Sequence, residues 1–333
     1  MRRCFGSGDA RATALFTSVR KLAPFADRPL DLLIVDEAHR LPTYPWTQRT
    51  KAALREQRLP TVQEVLKASH TIVCFIDESQ RVRPKETLTV DELAALAEAE
   101  GFDVVHYTLA KTFRAGGEPG YDDWVRALLG MDEGGTELQP GEVRYPERKG
   151  APFDVVTTAS AADLEKLIRA KDNPQDPGAG GRARLTAGFA WKWESYKKVT
   201  KLPPDVRDGD WAMPWNAREK QRIDGVDVPK NEIWATEPEG IGQVGCIYTA
   251  QGFEFGWVGV LFGEDLVRRD GRWVTQPKNS WDSEIRRAKP EAADAAIRNA
   301  YRVLMTRGLR GVAVYSVDPD TQRYFSEHIR AHP

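Results

Sequence analysis

Residues 32–40 read "LLIVDEAHR": four apolar residues run straight into two adjacent carboxylates, Asp36 and Glu37, followed by Ala38 and His39. A short, continuous apolar run is the pattern of a strand buried on both faces, the kind that builds parallel sheets. An acid at the C-terminal end of such a strand stands where open α/β sheets bind ligands. The same letters also describe a strand that ends in a solvated turn, so the pattern needs company. Asp-Glu-Ala-His lacks the second histidine of a zinc helix, and His39 alone is no metal ligand.

Working outward, short apolar runs alternate with helical patterns. Residues 61–68 read as a short helix and "TIVCFID" (71–77) as another buried strand. "VDELAALAEAE" (90–100) is an Ala/Leu/Glu-rich helix ended by Gly101, and "DVVHYTL" (103–109) reads as the strand after it. Strands separated by helices predict a parallel α/β sheet. Residues 115–150 turn rich in Gly, Pro and charge, the composition of a junction between domains. The alternation then resumes. "FDVVTTAS" (153–160) is a strand, Ser160 and Asp163 resemble a capping box for a helix over 161–171, and 184–191 looks like a strand. Residues 192–240 are irregular and Trp-rich. Strands are expected at 245–249 and 257–262. Ala293, Ile297, Ala300 and Leu304 fall at helical spacing in a helix over 291–307 that stops at Gly308, before the strand "GVAVYSV".

The composition excludes several classes. The 333 residues are enough for two domains, with 41% hydrophobic and 29% charged residues. Basic and acidic side chains number 48 and 49, for a net charge of -1, so no global basic excess advertises nucleic acid. Three scattered cysteines with no CxxC pair argue against a disulfide framework or zinc site and fit a reducing cytosol. No signal-peptide core and no membrane-length apolar run is present, so a cytoplasmic protein is expected.

The second strand repeats the device of the first: "FIDESQRVRP" ends in Asp77, with Gln80 three residues later. Four further pieces follow in order. "LAKTFRAGG" places Phe113 beside Arg114. "CIYTAQGFEFGWVGVLFG" joins two strands through Thr249, Gln251, Gly252 and Glu254. "AYRVLMTRGLRGVAVYS" puts Arg307 at the end of a helix just before a strand. Order and spacing resemble superfamily 1 helicases from the magnesium-binding motif onward. "VDEAH" looks like motif II, "IDESQ" like motif III, "TFR" like motif IV, "YTAQGFEF" like motif V and "YRVLMTRG" like motif VI. The wording is most similar to the Schlafen group 3-like DNA/RNA helicase domain family, over almost the whole chain.

That resemblance implies an α/β fold of the P-loop NTPase type: two RecA-like domains with parallel sheets, the first incomplete (1–115) and the second at 116–333, with a nucleotide site in the cleft between them. It implies ATP and Mg²⁺ as cofactors and single-stranded DNA or RNA as partner. Asp36 would bind Mg²⁺ through water, and Glu37 would be the general base, a role typically worth ~10²–10⁴-fold in rate. Gln80 would sense the γ-phosphate, Phe113 would stack on the adenine, and Arg114 would reach the γ-phosphate. Glu254 would hydrogen-bond the ribose, with Gly252 allowing close backbone approach. Arg307 would be an arginine finger, worth roughly 10³–10⁵ in turnover. Its plainer reading is a cation at a helix C-terminus, worth ~0.3–1 kcal/mol. Trp191, Trp193, Trp211 and Trp215, interleaved with Lys192, Lys197 and Lys198, could stack bases; tryptophans at alternating strand positions are more often core, and core is the expectation.

A nucleotide hydrolase also needs G-x-x-x-x-G-K-[ST] after a strand, to cradle the phosphates. "GSGDARAT" (6–13) has no lysine after its glycines, and "GAGGRARLT" (178–186) lacks the Gly-Lys pair and lies between motifs IV and V. The resembled family carries the loop upstream of motif II by a strand, a helix and a further strand, more than the 35 residues before Asp36 hold. Three readings compete: a fragment of an ATP-driven translocase, an intact binder of nucleic acid or a partner without hydrolysis, and one half of a split enzyme. The first is preferred, because degeneration would also erode Glu37, Arg114 and Arg307.

Overall fold

The computed structural model describes residues 15–46, 50–86, 88–109, 115–117, 120–131, 153–173, 175–176, 179–194, 201–223 and 225–331. Two compact units, Met1–Thr108 and Leu109–Pro333, are described in turn.

In the first unit, β1 (Leu30–Val35) and β2 (Ser69–Cys74) pair in parallel, with Leu30 opposite Ser69 and Val35 opposite Cys74. Between them lie the short α1 (Ala52–Arg55) and α2 (Thr61–Lys67), and α3 (Val90–Ala99) follows β2. Helix α3 starts at a capping box: Thr89 Oγ1 accepts from the Glu92 amide at 3.1 Å, and Glu92 Oε2 accepts from the Thr89 amide at 3.0 Å. It ends at Gly101, whose φ of 87° only glycine adopts freely.

Alternation along the two strands sends Leu33, Val35, Ile72 and Cys74 into a core with Val65 of α2. The opposite face is bare. Leu32 is 52% exposed, Ile34 59%, Val73 40% and Phe75 51%. Parallel sheets are ordinarily covered on both faces, so this one is incomplete as described.

The expected strand at 103–109 is absent as a ladder. Those residues pair with no strand, and Val105 and Tyr107 are largely exposed. A cavity of about 530 Å³ is lined by Ser69–Ile72 of β2 on one side and Gly101–Asp103 on the other. β-Propensity reports fit to a pleated neighbour, and the described residues supply none on that side.

The second unit is built on a six-stranded, all-parallel sheet, flanked by helices. Its strands are β3 (Asp154–Thr157), β4 (Ala183–Ala187), β9 (Gly245–Cys246), β10 (Phe255–Phe262), β13 (Gly308–Ser316) and β14 (Arg330–Ala331). Their order is β14-β3-β13-β10-β4-β9. All eight residues of the central β10 are buried, as expected for a strand covered on both faces. Four helices longer than one turn flank or adjoin the sheet: α4 (Tyr121–Leu128), α5 (Ala161–Lys171), α7 (Pro290–Met305) and α8 (Pro319–His328). The one-turn α6 (Ile247–Ala250) joins β9 to β10. Helix α5 lies so close to β10 that a Cβ on Gly259 would meet Ile168 at 2.7 Å. Tyr301 of α7 stacks on Phe262 at 4.1 Å, and strand alternation puts Phe262 on the other face. The expected apolar stripe of α7 is the buried one: Ala293, Ile297, Ala300 and Leu304 are at most 6% exposed.

Several expectations need correction. Residues 247–249, read as the end of a strand, fall in α6 instead. Part of the supposed junction, Tyr121–Leu128, is α4, anchored by the Tyr121 hydroxyl donating to Met305 O at 2.9 Å. The Trp-rich segment contains two hairpins, β5 (Val206–Asp208) with β6 (Trp211–Met213), and β7 (Gln221–Ile223) with β8 (Val226–Val228). A further hairpin, β11 (Leu266–Arg269) with β12 (Arg272–Thr275), was also missed.

Burial shifts the pKa of two polar groups in this unit in opposite directions. Asp265 is 3% exposed and accepts from the Tyr301 hydroxyl, which itself accepts from the Gly263 amide. Burial pushes the Asp265 carboxyl up to about 6, an effect the Tyr301 hydrogen bond only partly offsets. His328 is 1% exposed against Tyr324, and neither ring nitrogen has a hydrogen-bond partner. Burial lowers its pKa. Among the described residues no helix is long and apolar enough to cross a membrane.

Candidate functional site

In the first unit the candidate residues stand at the C-terminal ends of two adjacent parallel strands. Hydrogen bonds lace these ends together. The Phe75 amide donates to Val35 O at 2.9 Å, and the Ala38 amide donates to Phe75 O at 2.7 Å. Asp36 is exposed, and its Oδ1 accepts from the Glu37 amide at 3.1 Å. Glu37 adopts left-handed backbone angles, φ 53° and ψ 46°. Few residues other than glycine, asparagine and aspartate do so, and such strain gathers at functional positions. The turn it makes leads into Ala38–Arg40, whose Ala38 and His39 are buried.

The neighbouring loop is organised by Asp77. Its Oδ1 accepts from the Ser79 amide at 3.0 Å, and its Oδ2 accepts from Gln80 Nε2 at 2.5 Å. This is a side-chain cap on the short turn Glu78–Gln80. Asp36, Glu37, Asp77 and Gln80 are thus gathered on one edge of one sheet.

His39 joins the two loops, and sequence reasoning passed over it. The Asp77 amide donates to His39 Nδ1 at 3.3 Å, and His39 Nε2 lies 3.0 Å from Glu37 Oε2. The signal was present in the letters, in the one histidine that follows the acid pair.

In the second unit, the stretch expected as motif V (248–255) runs from α6 to the start of β10, and that expected as motif VI (301–308) spans the end of α7. Gly252 and Glu254 are exposed in the turn between α6 and β10. A Cβ on Gly252 would meet only Thr249 O, at 3.8 Å, so the chain's own packing does not require glycine there. Arg307 is 1% exposed. Its Nε donates to Val303 O at 3.0 Å and its Nη1 to Gln251 O at 2.9 Å, while its own carbonyl accepts from the Phe255 amide at 2.9 Å. It therefore ties the end of α7 to the motif V turn. Phe113 and Arg114 lie outside the described residues.

Asn216 is a second residue that sequence reasoning missed. Fully buried, it donates from Nδ2 to Thr249 Oγ1 at 3.2 Å and accepts at Oδ1 from the Cys246 amide at 2.9 Å. It thereby pins the start of motif V to the hairpin segment. Nothing in a lone asparagine 30 residues upstream announces this. Of the four tryptophans expected in the core only Trp215 is buried there; Trp191, Trp193 and Trp211 are partly exposed and tied to neighbours within the unit. Trp215 is fully buried and Trp193 stacks on it at 5.9 Å. Trp191 Nε1 donates to Arg207 O, and Trp211 Nε1 to Glu165. Lys197 and Lys198 lie outside the described residues.

The implied cation can be tested against this donor set. No group of three or more metal-ligating side chains occurs among the described residues. A single exposed carboxylate at a strand end suits Mg²⁺, which keeps several waters and is shared with phosphate oxygens. It does not suit a cation caged by protein alone.

The chain is 22% identical to an uncharacterized protein of Saccharomyces cerevisiae, over 93% of this chain and 66% of that protein. It therefore spans less than two thirds of the length of that relative. Residues 4–318 match the family described as Schlafen group 3, DNA/RNA helicase domain. With almost its whole length matched and a six-stranded parallel sheet flanked by helices, the chain belongs to the Schlafen group 3 DNA/RNA helicase domain family.

Proposed function

We propose that this chain is the greater part of an ATP-driven helicase or translocase core of superfamily 1 type, acting on single-stranded DNA or RNA. The observation that carries the reading is the shared edge of the first unit. There Asp36 and Glu37 end one strand and Asp77 and Gln80 follow the next, with the two ends hydrogen-bonded to each other. Asp36 holds a hydrated Mg²⁺, which supplies charge neutralisation at the phosphates. Glu37 orients the attacking water and takes its proton, and Gln80 responds to the γ-phosphate. Glu254 hydrogen-bonds the ribose. The open space beside Gly252 lets the nucleotide approach the backbone there. Phe113 stacks on the adenine, and Arg114 reaches the γ-phosphate. Arg307 serves as the finger, worth roughly 10³–10⁵ in turnover. To do so it gives up its bond to Gln251 O, and the motif V turn moves with it.

Hydrolysis also needs a phosphate cradle, and G-x-x-x-x-G-K-[ST] does not occur in these 333 residues. We infer that a segment outside them supplies it, from the same polypeptide or a partner chain. The bare face of β1 and β2 and the unpaired 103–109 segment support this, because added strands and helices would cover both.

The test has two arms. Translating the DNA upstream of the Met1 codon in three frames is expected to show the loop behind a strand-like apolar run. In a protein that includes that segment, Glu37→Gln should retain ATP binding and lose ~10²–10⁴-fold in turnover. No loop upstream, together with ATP turnover by the 333-residue chain, refutes the need for an outside cradle. Parental turnover in Glu37→Gln removes Glu37 from the chemistry.

A further inference from the structure

His39 is 1% exposed and wedged between the two strand ends. Its Nδ1 accepts the Asp77 backbone N–H, so the neutral ring carries its proton on Nε2. That Nε2–H is buried and has no hydrogen-bond partner, although Glu37 Oε2 lies only 3.0 Å away. The distance is right for a hydrogen bond and the alignment is not. A buried donor left in this condition is uncommon in native proteins and calls for an explanation. Glu37 cannot easily swing its backbone to meet it, because its left-handed φ of 53° already fixes the direction in which the side chain leaves the chain.

We propose that His39 is a positioning residue: it orients the Glu37 carboxylate and couples it to the loop that carries Gln80. The proposal rests on the reading of Glu37 as the general base. The connection runs through bonds already described. Gln80 Nε2 donates to the Asp77 carboxylate, the Asp77 amide donates to His39 Nδ1, and His39 Nε2 faces Glu37 Oε2. A pull on Gln80 therefore tilts the imidazole and re-aims the carboxylate. The base is held off the hydrogen-bond axis until the neighbouring loop responds. Burial makes the linkage stiff, because the imidazole has no solvent to exchange partners with.

Two substitutions divide the imidazole's contacts. His39→Asn keeps an acceptor near the position of Nδ1 and cannot reach Glu37. His39→Gln extends a donor toward Glu37 and loses the acceptor for Asp77. The readout is NMR of the 333-residue chain with labelled histidine, glutamate and glutamine side chains, without nucleotide. The expected wild-type signature is the Nε2–H tautomer of His39. The Glu37 carboxyl resonance should shift in His39→Asn while the Gln80 side-chain amide stays in place, and His39→Gln should show the reverse. An Nδ1–H tautomer overturns the proposal, as does a Glu37 resonance unchanged in His39→Asn. A histidine that merely fills space would disturb both resonances alike in both variants, and that outcome overturns it too. None of these measurements involves hydrolysis, so their failure is distinct from a failure of Glu37 as base, which Glu37→Gln turnover reads.

Discussion

Asp265 should make the second unit less stable as pH rises through the mildly acid range, and replacing it with asparagine should remove that trend. In an unfolded chain its carboxyl ionises near 3.8, and burial in the fold lifts this to about 6. A folded pKa above the unfolded one means that the folded state binds the proton more tightly. The stabilising effect is therefore whole below about pH 3.8 and is withdrawn as pH climbs past about 6. A difference of about two pKa units at 1.36 kcal/mol each makes the total cost at neutral pH about 3 kcal/mol. About half of it is already incurred at pH 5, which leaves ~1.4 kcal/mol to appear between about pH 5 and pH 8. Asp265→Asn preserves an oxygen to accept from Tyr301 and has no charge to bury. The assay is urea unfolding followed by tryptophan fluorescence, which reports the second unit because nine of the ten tryptophans lie in it. The difference in unfolding free energy between variant and wild type should move by ~1.4 kcal/mol in favour of asparagine from about pH 5 to pH 8. Taking that difference cancels every other titrating group. A difference that stays constant with pH would refute the buried, proton-holding carboxyl.

His328 should impose the opposite slope. Its pKa is lowered by burial, so its contribution is present above about pH 6.5 and lost as pH falls toward the depressed folded value. His328→Leu should flatten the acid limb of the same titration, and an unchanged limb would show that the ring is protonated without penalty. Single-stranded nucleic acid should be held through its backbone, with the logarithm of affinity falling by ~0.7 per neutralised phosphate for each unit of log salt. Affinity should vary little with base order, and strong preference for one short sequence in a binding titration would point to a base-reading module.

Much of this fold was legible as letters, because strand, helix and cap are local devices. The continuous apolar letters of Leu32–Val35 and of the run ending at Ile76 read as strands, and strands they are, although one face of the pair is exposed. The stripe of Ala293, Ile297, Ala300 and Leu304 needed only helical periodicity, and Ser160 caps the helix after it through a bond spanning three residues. The place of Asp36 and Glu37 just past the end of a parallel strand was likewise readable, since such strand ends have a known polarity. What lay beyond the sequence depends on partners distant along the chain. Residues 103–109 have strand composition and form no ladder, because pairing belongs to a neighbour and none is present among the described residues. Residues 247–249 read as strand and turn as helix, next to Cys246, which Asn216 pins from 30 residues away. Arg307 could be named from its motif, but only the fold shows its guanidinium buried against Gln251 O. His39 is the sharpest case. As a letter it was one imidazole with no second ligand; in the sheet it lies between Asp77 and Glu37, because parallel pairing of β1 with β2 brings residues 38 positions apart into hydrogen-bond range.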